Sequence, residues 1–126
     1  MFIVGKKYSR KEIYALLNVP IHQQEGNWNT GYTQYNNEYY IFANIGVAGR
    51  TGENHNNRFK NEMLEWSAKR NTNIKQPTII KMTDNSHAVH VFTRDNNNIT
   101  SFTYHGLGVA ETVIDTSPVK VLWKFK

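Results

Sequence analysis

The chain has 126 residues, a net charge of +5, 13% aromatic residues and no cysteine, a size at which one domain buries a core without metals or disulfides. The lack of cysteine excludes disulfide scaffolds, zinc fingers, thiol nucleophiles and iron–sulfur clusters, and no apolar run approaches the roughly 20 residues of a spanning helix. The positive charge favours an anionic partner, and without a basic amphipathic helix that partner is more often nucleic acid than lipid.

The N-terminus sets an apolar stub, Phe2-Ile3-Val4, ahead of Lys6 and Lys7. This reverses the order of a secretory signal, so a cytoplasmic location with no membrane partner is expected. Tyr8-Ser9-Arg10-Lys11-Glu12-Ile13 carries a capping box, with Ser9 as N-cap, Glu12 at N3, and Tyr8 and Ile13 as the staple. A short helix follows with Ile13, Leu16 and Leu17 on one face, ended by Asn18 and Pro20. From Trp28 the pattern turns to strands. Asn36-Asn37 separates residues 31–35 from 38–44 as a hairpin turn. Residues 46–61 show no periodicity and read as a long loop, of the kind that in compact domains is usually functional or disordered. Further strands are expected at 63–68, 78–82, 87–94, 100–107 and 119–125. These elements predict a mainly β (α+β) single domain over residues 1–126, a small twisted β-barrel of about seven strands with one N-terminal helix.

The last strand alternates: Val119, Val121, Trp123 and Phe125 face one way, and Lys120, Leu122, Lys124 and Lys126 the other. The Lys face is either a DNA-contacting stripe or the protection of an edge strand that would otherwise pair with another copy.

Two segments mix donors, glycines and rings: residues 27–32, Asn-Trp-Asn-Thr-Gly-Tyr, and residues 49–59, which contain Arg50, Thr51, Asn54, His55, Asn57 and Arg58. Glycine allows close backbone approach, Arg offers a bidentate fork to phosphate or guanine, and Asn pairs with base edges. A solvated loop and a core Trp28 are the competing explanation. Glu62, Glu65 and Lys69, with Asp84, form the acidic and basic set that a small magnesium-dependent nuclease would need. The parity of Glu65 and Lys69 against Glu62 on a short strand opposes it. The five histidines lack metal-ligand spacing, and neither a phosphate-binding loop nor a nucleophile elbow is present, so no metal, cofactor or catalytic residue is assigned.

The series Tyr8-Ser9-Arg10-Lys11-Glu12-Ile13, Ile41-Phe42-Ala43-Asn44, Leu64-Glu65-Trp66-Ser67, His90-Val91-Phe92-Thr93-Arg94, Phe102-Thr103-Tyr104-His105-Gly106 and Pro118-Val119-Lys120-Val121 resembles the accessory domain at the C-terminal end of helicase-type, modification-dependent restriction enzymes. In those enzymes the module is similar to the SET-and-RING-associated (SRA-like, PUA-like) domain. The resemblance spans most of the chain and departs from the pattern at residues 27–32 and 49–52. It implies a DNA-binding specificity module of a restriction or defence system. Its partner would be double-stranded DNA carrying methylated or hydroxymethylated cytosine, read by base flipping, with nuclease or helicase modules elsewhere in the system. A flipped base needs stacking rings and edge-reading polar groups. Trp28, Tyr32, Trp66 and Tyr104 are the candidate rings, and Asn29, Thr30 and Asn44 the candidate edge readers. Arg50, Thr51, Asn54, His55, Asn57, Arg58, Lys69, Arg70 and Arg94 are the candidate backbone contacts. The alternatives are the nuclease and an oligomerisation module built on the Lys120, Lys124 strand.

Overall fold

The computed structural model describes residues 2–46 and 57–126. Lys7–Ser9 forms β1 and leads directly into α1, Arg10–Leu17. The capping box is complete: the Glu12 N–H donates to Ser9 Oγ at 3.1 Å, and the Ser9 N–H donates to Glu12 Oε1 at 2.9 Å. Two N-terminal donors that the helix itself cannot satisfy are thereby paired. Asn18 closes the helix in the left-handed region, its N–H turned back to the carbonyls of Ala15 and Tyr14. The buried residues of α1 are Ile13 and Tyr14, whereas Leu16 is exposed.

Two 3₁₀ turns, Ile21–Gln23 and Gly26–Asn29, carry the chain to β2, Tyr32–Tyr35, and β3, Glu38–Asn44. Asn36 and Asn37 turn this hairpin with φ of 50° and 62°, the paired positive values that a two-residue hairpin requires. A second hairpin has the same construction. Asn61 and Glu62, with φ of 53° and 66°, join β4, Arg58–Lys60, to β5, Met63–Ser67. Then follow α2, Pro77–Thr83, and the strands β6, Val89–Arg94, β7, Ser101–Ile114, and β8, Lys120–Phe125.

Residues 78–82, expected as a strand, lie in α2. Pro77 begins the helix, where its missing N–H costs nothing, and Ile79 and Met82, three apart, are buried together in the core. Short apolar runs do not separate helix from strand by periodicity, and the tertiary contact decides.

The eight strands form one mixed sheet in the order β2-β3-β6-β7-β8-β5-β4, with β1 paired to β7. β3 and β6 are parallel, and the other pairings are antiparallel. The expected barrel is not formed: among the described residues the end strands β2 and β4 do not pair, so the sheet stays open. Its curvature comes from the 14-residue β7, whose first half pairs with β6 and whose second half pairs with β8. The register slips at His105, between the pairs Val91–Gly106 and Phe92–Tyr104, and again between Ala110 and Thr112. Such bulges bend a strand and increase its twist, folding one half of the sheet over the other without closing it.

Two cores result. Tyr39, Ile41, Val89 and Val91 from the first half meet Leu64, Trp66, Val121 and Trp123 from the second, with Ile79 and Met82 of α2 in the same cluster. The opposite face of the first half carries Tyr40, Phe42, Phe92, Phe102 and Tyr104, packed with Tyr8, Ile13, Tyr14, Val19 and Trp28. The order of layers is therefore helix and 3₁₀ segment, first half-sheet, second half-sheet. Alternation along each strand leaves the outer face of the second half exposed to solvent. Among the described residues no helix is long and apolar enough to cross a membrane.

Candidate nucleic-acid interface

The expected base-reading rings are distributed over the two cores. Trp28, 3% exposed, packs against Tyr14, Tyr35, Tyr40 and Phe42 with centroids 5.3–6.1 Å apart. Tyr104 is buried with Phe2, Phe92 and His90, and its hydroxyl is 2.9 Å from His90 Nδ1. Burial and the negative charge of Glu38 push the Tyr104 phenol up to about 12. His90 Nε2 lies 2.6 Å from Glu38 Oε1, and the stacked Tyr40 ring, 4.8 Å away, completes a polar-aromatic cluster across β3, β6 and β7. Tyr32 and Trp66 meet edge to face in the other core at 5.4 Å. Trp28 and Tyr104 thus belong to one core, and Tyr32 and Trp66 to the other.

The polar candidates divide similarly. Asn29 is half-buried and Thr30 exposed, with Thr30 Oγ1 donating to the Asn27 carbonyl at 2.9 Å. Asn44 Oδ1 accepts from Arg94 Nε at 2.7 Å. The same guanidinium donates from Nη1 to the Ile99 carbonyl at 2.6 Å and lies over the Phe102 ring at 4.4 Å. Arg94 is thus a clamp on the β3 and β6 ends. Lys69 Nζ donates to the Tyr32 carbonyl at 3.0 Å above the Tyr32 ring, and burial lowers its pKa. Arg70 is exposed at the exit from β5. Asn57 is buried: its Nδ2 donates to the Asn44 carbonyl at 3.3 Å, and its Oδ1 accepts from the Ser67 N–H at 2.9 Å. Asn57 ties β3 to β5 and does not face solvent. Arg50, Thr51, Asn54 and His55 lie outside the described residues.

The nuclease set does not converge. Glu65 Oε2 accepts from Arg58 Nε at 2.5 Å, Lys69 is turned onto Tyr32, and Asp84 Oδ1 accepts from the Ser86 N–H and hydroxyl. Among the described residues no group of three or more His, Asp or Glu side chains is placed to hold a metal ion.

The lysine stripe is where the second half-sheet becomes informative. β8 lies between β7 and β5, so Lys120 and Lys124 do not protect an edge, and β8 has no unpaired side for a second copy. Cross-strand register sets Arg58 opposite Glu65, and Glu65 opposite Leu122. Directly opposed residues share a face, so Arg58, Lys60, Lys120 and Lys124 gather on the exposed outer surface around Glu65. The hydrogen bond from Arg58 holds the Glu65 carboxyl below its usual range, with the charges of Arg58, Lys60 and Lys120 acting in the same direction. At one end of this surface a cleft of ≈ 410 Å³ brings Lys124 together with the carboxylates of Glu62 and Glu111. The Arg58, Lys60 and Lys120 portion is therefore the more positive part.

Phe59, between Arg58 and Lys60, points the other way and is 42% exposed. Its ring lies 4.9 Å from that of His105. Together they border a second cleft, of ≈ 310 Å³, at the open end of the folded sheet. Ile45 and Ile99 supply further apolar lining, and Ser101, Thr103 and Thr93 supply hydroxyls. Lys7, Arg94 and Asp95 are the charged lining residues. His105 Nε2 is 2.6 Å from Thr93 Oγ1, and burial depresses the imidazole pKa. Neither Lys7 nor Phe59 stands out in the sequence, because both belong to three-residue strands. The only local signal for β4 is the cation–aromatic–cation alternation of Arg58-Phe59-Lys60 ahead of the Asn61-Glu62 turn.

No curated protein matches the chain. A family model described as "Domain of unknown function (DUF3427)" matches residues 2–125, which takes in both half-sheets, both helices and the two clefts. The chain therefore belongs to the DUF3427 family.

Proposed function

We propose that this domain is a DNA-binding specificity module of a restriction or defence system, with helicase and nuclease activities supplied by other modules. The observation that carries this proposal is the exposed outer face of β4, β5 and β8, where Arg58, Lys60 and Lys120 surround Glu65. A sheet surface with this charge suits the phosphates of a duplex, which supply most of the sequence-independent affinity. The chain's net charge of +5 acts in the same sense. Recognition of modified cytosine by base flipping is the finer part of the proposal and rests on the resemblance to modification-dependent enzymes. Its candidate rings, Trp28, Tyr32, Trp66 and Tyr104, pack within the two cores.

The test is fluorescence anisotropy against matched duplexes carrying cytosine, 5-methylcytosine or 5-hydroxymethylcytosine across a salt series. Binding that weakens steeply with salt, and favours one modified duplex, is expected. Absence of binding at low salt overturns the module, and equal binding to all three duplexes overturns the modified-base part alone.

A further inference from the structure

We infer that the cleft between β4 and the β1–β7–β6 surface binds one phosphorylated nucleoside, its base against Phe59 and its phosphate at Lys7. The volume of ≈ 310 Å³ falls at the lower end of the roughly 300–1,000 Å³ of small-molecule sites. Its lining is divided in the way that such a ligand needs. The Phe59 ring meets the tilted rings of His105 at 4.9 Å and Phe125 at 6.5 Å, and 42% of the residue remains exposed, which leaves aromatic surface for a flat π-system. Ser101, Thr103 and the Asp95 carboxylate offer donors and acceptors for a base edge, while the Thr93 hydroxyl is taken up by His105. Lys7 is directly opposite Thr103 in the β1–β7 register and shares its face, which puts an ammonium beside these hydroxyls. An acyl chain would leave the polar groups unpaired, and a bare anion would leave the apolar wall of Phe59, Ile45 and Ile99 unused.

The position of β4 links this cleft to the basic surface. β4 ends the sheet order, and its alternation turns Arg58 and Lys60 outward while Phe59 faces the cleft. A strand whose phosphates rest on the outer face has only one three-residue edge strand to cross before an unpaired nucleotide reaches Phe59. The ligand is therefore either a free mononucleotide or an unpaired nucleotide within a strand. Only the second source rests on the DNA-binding reading.

The experiment titrates the whole chain with dCMP, deoxycytidine and inorganic phosphate by NMR. In parallel, anisotropy compares a fully paired duplex with one that carries a single unpaired nucleotide. Saturable dCMP binding is expected, with perturbed signals at Phe59 and His105. Phe59→Ser is expected to weaken dCMP about tenfold, while Lys7→Ala weakens dCMP but not deoxycytidine. Preference for the duplex with the unpaired nucleotide, lost in Phe59→Ser but kept in a Lys60→Ala/Lys120→Ala variant, identifies the strand as the source; dCMP binding without that preference identifies the free nucleotide. Thermal melts of both variants establish that they fold, and Lys7→Ala, at an exposed site, supplies a result independent of Phe59→Ser. Phosphate binding as tight as dCMP reduces the cleft to an anion site and overturns the inference. So does the absence of both dCMP saturation up to ~10 mM and preference for the unpaired nucleotide.

Discussion

Removing Lys60 and Lys120 tests the basic surface most directly. Both are exposed and face the same side of adjoining strands, Lys60 on β4 and Lys120 on β8, with β5 and Glu65 between them. Each cation that neutralises a phosphate contributes roughly 0.9 to the slope of log K against log[salt]. The double alanine variant should therefore make that slope shallower by about 1.8, which at ~0.1 M salt is a loss of about 60-fold in affinity. Because exposed lysines seldom support the fold, its urea midpoint should match that of the parent. Lys124→Ala is an internal comparison: that lysine shares its cleft with Glu62 and Glu111, so its loss should change the slope by well under the roughly 0.9 expected of a full phosphate contact. Anisotropy on an unmodified duplex at five or more salt concentrations supplies both slopes. An unaltered slope in the double variant, with DNA binding retained, would refute the assignment of this face and leave the rest of the surface to be searched.

Three further outcomes are expected. Gly108→Ala should destabilise the fold by roughly 1–3 kcal/mol, seen as a lower urea midpoint at constant m, because the added Cβ would stand 3.0 Å from Trp123 Cε3 and 3.2 Å from Val91 Cγ2. Both neighbours are fully buried and have no room to yield. Ser9→Ala removes the cap of α1 and should cost about 1 kcal/mol, measurable by the same titration; an unchanged midpoint would mean that α1 holds by packing alone. Burial lowers the His105 pKa below its ordinary 6.5. The unfolded chain then binds the proton first as pH falls, so stability is full above about pH 6.5 and declines toward the lower folded pKa. His105→Gln should flatten that part of the stability–pH curve, and a curve that keeps the parent's slope between pH 5 and 6.5 would contradict the burial of this imidazole.

Much of the local structure is legible because it depends on neighbours in the chain. Ser9 and Glu12 satisfy each other's backbone across three residues, Asn36-Asn37 accepts the left-handed angles of a tight turn, and Val119, Val121 and Trp123 alternate with lysines along one strand. Such interactions hold wherever the segment lies. The resemblance series and the match to residues 2–125 likewise belong to the sequence as a whole.

What required the tertiary structure was the use to which each residue is put. Trp28 and Trp66 have the same chemistry in a core as in a binding pocket, and only the packing of α1 and of the opposite half-sheet shows that their faces are covered. The Lys120 and Lys124 stripe fits an edge strand and an interior one equally; pairing of β8 on both sides decides between them. Ile79 and Met82 become helical because the interior offers a place for two side chains three residues apart. The open sheet, the basic outer face and the cleft beside Phe59 all follow from β7 bending between two partners. That bend is a long-range event, set by residues 101–114 together with the strands they pair with.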